Sequence, residues 1–96
     1  MSDPLFEWDW DKDRQNQAKH GVSFESARQA FFDRDRVLIE DEGHSTEEAR
    51  FFCVGRVRGG ILAVRFTYRG DRIRIIGAGY WRKWRTLYEK KNRLHR

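Results

Sequence analysis

Several things are scarce in this chain, and each scarcity excludes something. Cys53 is the only cysteine in 96 residues, so the chain can form no disulfide with itself, and a reducing, cytoplasmic setting is expected. Cys53 and the three histidines fall at no zinc-like spacing, so no metal and no other cofactor is expected. No apolar run approaches the ~18 residues of a membrane span. The first residues are acidic and carry no apolar signal-peptide core. Pro4 is the only proline, and no repeat, linker or low-complexity stretch breaks the chain, so one domain over 1–96 is expected. Acid is scarce in the second half. Residues 49–96 carry 14 Lys/Arg against 2 Asp/Glu, a formal +12, whereas residues 1–48 carry 6 against 13, a formal −7. Such asymmetry points to an anionic partner for the basic half. The alternative is that the halves fold together and neutralise each other, although −7 cannot cancel +12.

What is present is aromatic and patterned. Fourteen Phe, Trp and Tyr side chains give a small domain much apolar area to bury. Leu5 to Trp8 reads as a short strand. Asp9 or Asp11 can cap a helix that runs to about Lys19 and stops at Gly21. Ser23 caps a second helix, whose Phe24, Ala27, Ala30 and Phe31 recur at helical spacing. Val37 to Ile39 reads as a strand, and Asp41 to Glu48 as an acidic loop. The second half reads as a meander: Arg50 to Val57, a turn at Gly59-Gly60, Ile61 to Tyr68, a turn at Arg69-Gly70, and Asp71 to Gly77. From about Trp81 to Leu94 the period becomes helical, with Trp81, Trp84, Leu87, Tyr88 and Leu94 on one stripe. The order β-α-α-β-β-β-β-α predicts an α+β domain, a small and mostly antiparallel sheet with the helices packed on one face.

The last hairpin carries the sharpest chemical expectation. A turn at Arg69-Gly70 sets Thr67 opposite Arg72 and Arg65 opposite Arg74, all on the face away from Phe66, Ile73 and Ile75. Like charges directly opposite each other repel, and a phosphate between two guanidinium forks relieves them. A carboxylate from the first half is the alternative filler. Beyond the hairpin, Tyr80 and the tryptophans interleave with Arg82, Lys83 and Arg85, as in surfaces that stack bases and hold phosphates. Helical spacing favours the core for Trp81, Trp84 and Tyr88 and leaves Tyr80 as the better functional candidate. His20, His44, Tyr80 and Lys12 are the candidates for moving protons.

Three stretches together resemble the BrnT family of ribonuclease toxins of type II toxin–antitoxin systems. They are FEWDWDKDRQNQAKHGVSFESARQAFFD, RFFCVGRV and IRIIGAGYWRKWR, and the most specific pieces are Trp8-Asp9, Lys19 to Glu25 and Arg74 to Ile76. The resemblance spans about Phe6 to Glu89. It implies a RelE-like fold, a single toxin domain, and metal-independent RNA cleavage that inhibits translation. It also implies a BrnA-like ribbon-helix-helix antitoxin in a hetero-oligomer, which reaches operator DNA only through that antitoxin. On this view Arg65 and Arg74 stabilise charge on the scissile phosphate, Lys12, His20, His44 or Tyr80 move protons, and Arg72, Arg82, Lys83 and Arg85 bind RNA. The alternative is a module that binds RNA or antitoxin without catalysis. One departure stands out: many members follow Ile-Ile with Ser-Ala-Arg, whereas here the run is Gly77-Ala78-Gly79. The arginine of the commoner motif falls on Gly79; if that arginine is catalytic in those members, this chain is either weaker or uses another group, for which Tyr80, Arg82 and Arg74 are the candidates.

Overall fold

A computed structural model describes residues 5–44 and 47–94, His44 by its backbone alone. Pro4 and His95 lie outside the described residues. In chain order the elements are β1 (Phe6–Glu7), α1 (Trp10–His20), α2 (Phe24–Ala27), a 3₁₀ turn (Arg28–Phe32), β2 (Val37–Glu40), a second 3₁₀ turn (Glu42–His44), β3 (Arg50–Val57), β4 (Gly60–Arg69), β5 (Arg72–Gly79) and α3 (Arg82–Leu94). The strands form one sheet in the order β1-β5-β4-β3-β2. All neighbours run antiparallel except β1 and β5. Among the described residues, no helix is long and apolar enough to cross a membrane.

Local chemistry accounts for the helix ends. The Asp9 carboxylate accepts from the Asp11 and Lys12 amides, and Gly21 closes α1 in the left-handed region. Free amides at a helix start need such an acceptor. These bonds hold the Asp9 carboxyl below its usual pKa, chiefly through the Lys12 and Asp11 amides. The Ser23 hydroxyl accepts from the Ser26 amide and starts α2. Between the two helices, Asp13 is buried and accepts from the Phe24 amide at 2.7 Å. That bond ties α1 to the start of α2.

The helices lie on both faces of the sheet, not on one as the meander suggested. On the first face Phe24, Ala27 and Ala30 pack with Cys53, Leu62, Val64, Phe66 and Ile75. There the 3₁₀ turn rests directly on β3: a Cβ on Gly55 would lie 2.4 Å from the Ala30 carbonyl oxygen. On the second face Tyr88 and Trp84 of α3 pack with Val54, Ile61, Ala63 and Phe52. Period-2 alternation makes both faces of β3 and β4 apolar at their centre, so each needs a helical cover. The expected α3 stripe is correspondingly shorter. Tyr88 is buried, whereas Trp81 is 42% and Leu94 72% exposed.

Both hairpin turns fall one residue from their predicted places, at Arg58-Gly59 and Gly70-Asp71. Moving the second turn shifts β5 by two places, so Thr67 faces Arg74, Arg69 faces Arg72, and Arg65 faces Gly77 across a bulge at Ile76. A shift of two preserves side-chain parity. Arg65, Arg72 and Arg74 therefore do share a face, but the predicted Arg65–Arg74 opposition does not form. Each has a carboxylate instead. The Arg65 Nε lies 3.3 Å from Asp41, the Arg74 Nη1 2.9 Å from Glu7, and the Arg72 Nε 3.8 Å from Glu7. Glu7 is in reach because β1 pairs parallel to β5 and sets Glu7 beside Arg74. The first-half carboxylate is thus the filler, and the case for a phosphate clamp built on arginine repulsion falls.

Candidate functional site

An open cleft of about 640 Å³ lies on the α3 side of the sheet, between the C-terminal end of α1 and the start of α3. Ala63, Arg65 and Gly77 of β4 and β5 line its floor, with Asn16 and His20 on one wall and Trp81, Lys83 and Trp84 on another. Glu40 and Asp41 close the end towards β2.

The α1 wall is held in place by an edge problem. β1 has only two residues and pairs with Ile73 and Arg74, so it leaves the far end of β5 uncovered. A bare strand edge must find hydrogen bonds elsewhere. The Asn16 side chain supplies them: its Nδ2 donates to the Ala78 carbonyl at 2.9 Å, and the Ala78 amide donates to its Oδ1 at 3.1 Å. A second Nδ2 bond reaches the Val22 carbonyl at 2.9 Å. His20 lies one turn beyond Asn16 on the same helix face, so fixing Asn16 fixes His20 at the rim. There its ring meets that of Trp81 edge-on, with centroids 5.2 Å apart.

The cations in the cleft are also positioned. Arg65 has Asp41 on its Nε at 3.3 Å, and its guanidinium lies 5.8 Å from the Phe52 ring centroid. Lys83 sits with its ammonium 5.0 Å from the Trp84 ring centroid, within cation–π range. The Phe52 and Trp84 rings are themselves 4.6 Å apart. In formal charge the lining balances, since Arg65 and Lys83 stand against Glu40 and Asp41. Chemically, the cleft combines an imidazole, two anchored cations and aromatic surface. Among the described residues, no three His, Cys, Asp or Glu side chains gather closely enough to hold a metal ion. Burial pushes the Cys53 thiol up to about 12, so it is no nucleophile.

The cleft gathers three of the sequence candidates: His20, Arg65 and Lys83. Others lie elsewhere. Arg74 and Arg72 sit with Glu7 outside the lining. Tyr80 turns away, its hydroxyl donating to the Val57 carbonyl at 3.0 Å. Lys12 is exposed on α1 and is not among the lining residues. Arg82 and Arg85 are exposed on α3, where Arg85 pairs with Glu89 at 3.3 Å. The side chain of His44 lies outside the described residues. The lining also takes in Asn16, Glu40 and Asp41, which were not sequence candidates, and Trp81, which helical spacing had favoured for the core. Asn16 carried no signal, because only the short β1 makes its amide necessary. Gly79 did carry one: a Cβ there would lie 2.6 Å from Cη2 of Trp81, so the space beside residue 79 belongs to the indole.

No curated protein matches the chain. A family model described as "Ribonuclease toxin, BrnT, of type II toxin-antitoxin system" matches residues 8–84, a span that includes every residue lining the cleft, from Asn16 to Trp84. The chain therefore belongs to the BrnT family of ribonuclease toxins of type II toxin–antitoxin systems.

Proposed function

We propose that this chain cuts RNA in the cleft by a metal-independent endonucleolytic reaction and thereby inhibits translation in the cytoplasm. The observation that carries the proposal is the convergence of His20, Arg65 and Lys83 on one open cleft. In such a reaction a ribose 2′-hydroxyl attacks the adjacent phosphorus. A proton leaves the nucleophile, another reaches the departing 5′-oxygen, and negative charge grows on the phosphate oxygens. Imidazole is suited to the proton transfers, since its unperturbed pKa lies near physiological pH. Arg65 and Lys83 stabilise the growing charge, and Asp41 holds the Arg65 guanidinium in place. Arg82 and Arg85 extend the cationic surface along α3 for the flanking phosphates. Arg74, Arg72, Lys12 and Tyr80 take no part in the chemistry on this reading. The partner that restrains the toxin is a BrnA-like ribbon-helix-helix antitoxin in a hetero-oligomer, and operator DNA is reached only through it.

A specific observation favours a second reading, binding of RNA or antitoxin without catalysis. The lining charges balance, so the cleft lacks the excess cation of a dedicated phosphate site. Purified protein incubated with RNA in excess EDTA separates the two. Cleavage that persists in EDTA and disappears in His20→Gln, with thermal melting unchanged, supports the nuclease. RNA binding with no cleavage supports the second reading. Cleavage abolished by EDTA removes the metal-independent mechanism.

A further inference from the structure

We infer that Trp81 is a base-stacking platform, on which the indole seats one RNA nucleobase in the cleft beside His20. RNA as the ligand rests on the function proposed above; the placement of the ring does not.

Trp81 departs from the behaviour of its neighbours on α3. Tyr88 is 5% exposed and packs with Val54 and Ala63, whereas Trp81 is 42% exposed and lines the cleft. Trp84 already packs against the Phe52 ring, with centroids 4.6 Å apart and planes tilted by 36°. Among the described residues Trp81 has no ring packed against it in that way. Its benzo ring rests instead on the bare backbone of Gly79: an added Cβ would come within 2.6, 2.8 and 2.9 Å of Cη2, Cζ2 and Cζ3. The His20 ring meets it at 70°. The backbone is held too, because the Trp84 amide, at 3.1 Å, and the Arg85 amide, at 3.3 Å, both donate to the Trp81 carbonyl. An indole fixed by its seat, its neighbour and its backbone loses little freedom when a planar ligand stacks on it. Leaving so large an aromatic half in water forgoes burial that the fold gains elsewhere. The adjoining cations, Arg82, Lys83 and Arg65, suit a ligand that is planar at one point and anionic at the next. That combination describes a nucleotide within a strand.

The test uses a short 2′-O-methyl RNA oligonucleotide, which lacks the attacking hydroxyl and cannot be cut. Binding is read by anisotropy of the labelled oligonucleotide and by quenching of tryptophan fluorescence. Trp81→Phe retains affinity within about threefold, whereas Trp81→Leu loses roughly ten- to a hundredfold. Quenching falls in both variants, because the stacking fluorophore is gone. Gly79→Ala alters no charged or aromatic group but displaces the indole, and it weakens binding in the same direction. It also serves if Trp81→Leu fails to fold. Binding by Trp81→Leu equal to that of the parent overturns the platform, as does unchanged affinity for an oligonucleotide with abasic sites throughout. Because the probe cannot be cleaved, the outcomes separate. Trp81-dependent binding by a protein that cuts no RNA leaves the platform and removes the nuclease. Cleavage whose KM is indifferent to Trp81→Leu removes the platform alone.

Discussion

The arginines of the sheet and the cations of α3 belong to the same basic half of the chain, yet their surroundings differ. Arg65, Arg72 and Arg74 each lie within 4 Å of a carboxylate from the acidic half, Asp41 or Glu7. Arg69 and Arg50 have Glu48 at 3.8 and 4.0 Å. Along α3, Arg82, Lys83, Lys90, Lys91 and Arg93 make no ion pair among the described residues, and Arg85 pairs only with Glu89 of its own helix. The cause is topological. β1 and the loop after β2 bring first-half carboxylates alongside the sheet arginines, whereas the outer face of α3 meets water. Among the described residues, these cations therefore form two populations. One is neutralised in folding. The other is an exposed cationic surface that begins at the cleft rim, and this is where an anionic partner is to be sought.

The two populations meet at Arg65, the sheet arginine that also lines the cleft. Arg65→Ala is expected to lower the RNA cleavage rate by about 10²–10³, while Arg74→Ala leaves cleavage within about threefold of the parent in a single-turnover assay. Equal losses would place both arginines in one functional class. Next in size is Asp33, which anchors α3 to the sheet. Its carboxylate accepts from the Tyr88 hydroxyl at 2.6 Å, the Arg56 amide at 2.7 Å and the Asp35 amide at 2.9 Å. Asp33→Ala should destabilise by about 2–3 kcal/mol, seen as a melting temperature lower by about 10–20 °C.

The same pair sets an alkaline limit. Burial and the bond to Asp33 push the Tyr88 hydroxyl up to about 12. An unfolded tyrosine ionises near pH 10. The contribution of this bond is therefore full below about pH 10 and is lost as pH rises towards 12. Stability measured between these pH values should fall in the parent, and Tyr88→Phe should flatten that slope. On the acid side burial opposes ionisation of Asp33, but the Tyr88 hydroxyl and the Arg56 amide outweigh it and its pKa is lowered. That contribution is present above about pH 4 and fades as pH falls below it.

Smaller effects sharpen the contrast between the two populations. Replacing Arg82, Lys83 and Arg85 together by glutamine should weaken RNA binding about tenfold and reduce the log–log salt slope by about 2. Thermal stability should change by less than about 1 kcal/mol, since these side chains are exposed. Glu7→Gln should do the reverse. It takes the charge from the partner of Arg74 and Arg72, costs about 1 kcal/mol, and leaves RNA affinity unchanged in the same titration. A large gain in affinity from Glu7→Gln would show that the sheet arginines are a masked RNA surface.

Much of the local structure was legible because local chemistry decides it. Asp9, Gly21 and Ser23 announced the helix ends, and the apolar run Arg50 to Val57 announced β3 with its bounds. The α+β class and the element order followed from the change of period. Adjacent turn-forming residues defeated the turn positions: Gly59 and Gly60 suit either of two turns, as do Arg69, Gly70 and Asp71, and ladder geometry chooses between them. The candidate cleft was legible only in fragments. His20, Arg65 and Lys83, which line it, were named as candidates, but so were Arg74, Tyr80 and Lys12, which do not, because residue type alone does not say which direction a side chain faces. Trp81 looked like core because helical spacing counts angle around the axis, and α3 covers the sheet only from Trp84 onwards.

What the sequence determined by itself is whatever acts over a few residues or survives as pattern: the caps, the strands, the charge asymmetry and the family block. Tertiary structure alone decided the pairings of residues far apart in the chain. It set Glu7 and Asp41 on the sheet arginines, Asn16 on the edge that β1 leaves bare, and the Trp81 indole on Gly79. Each depends on which surfaces meet once the sheet closes, and no spacing along the chain encodes that.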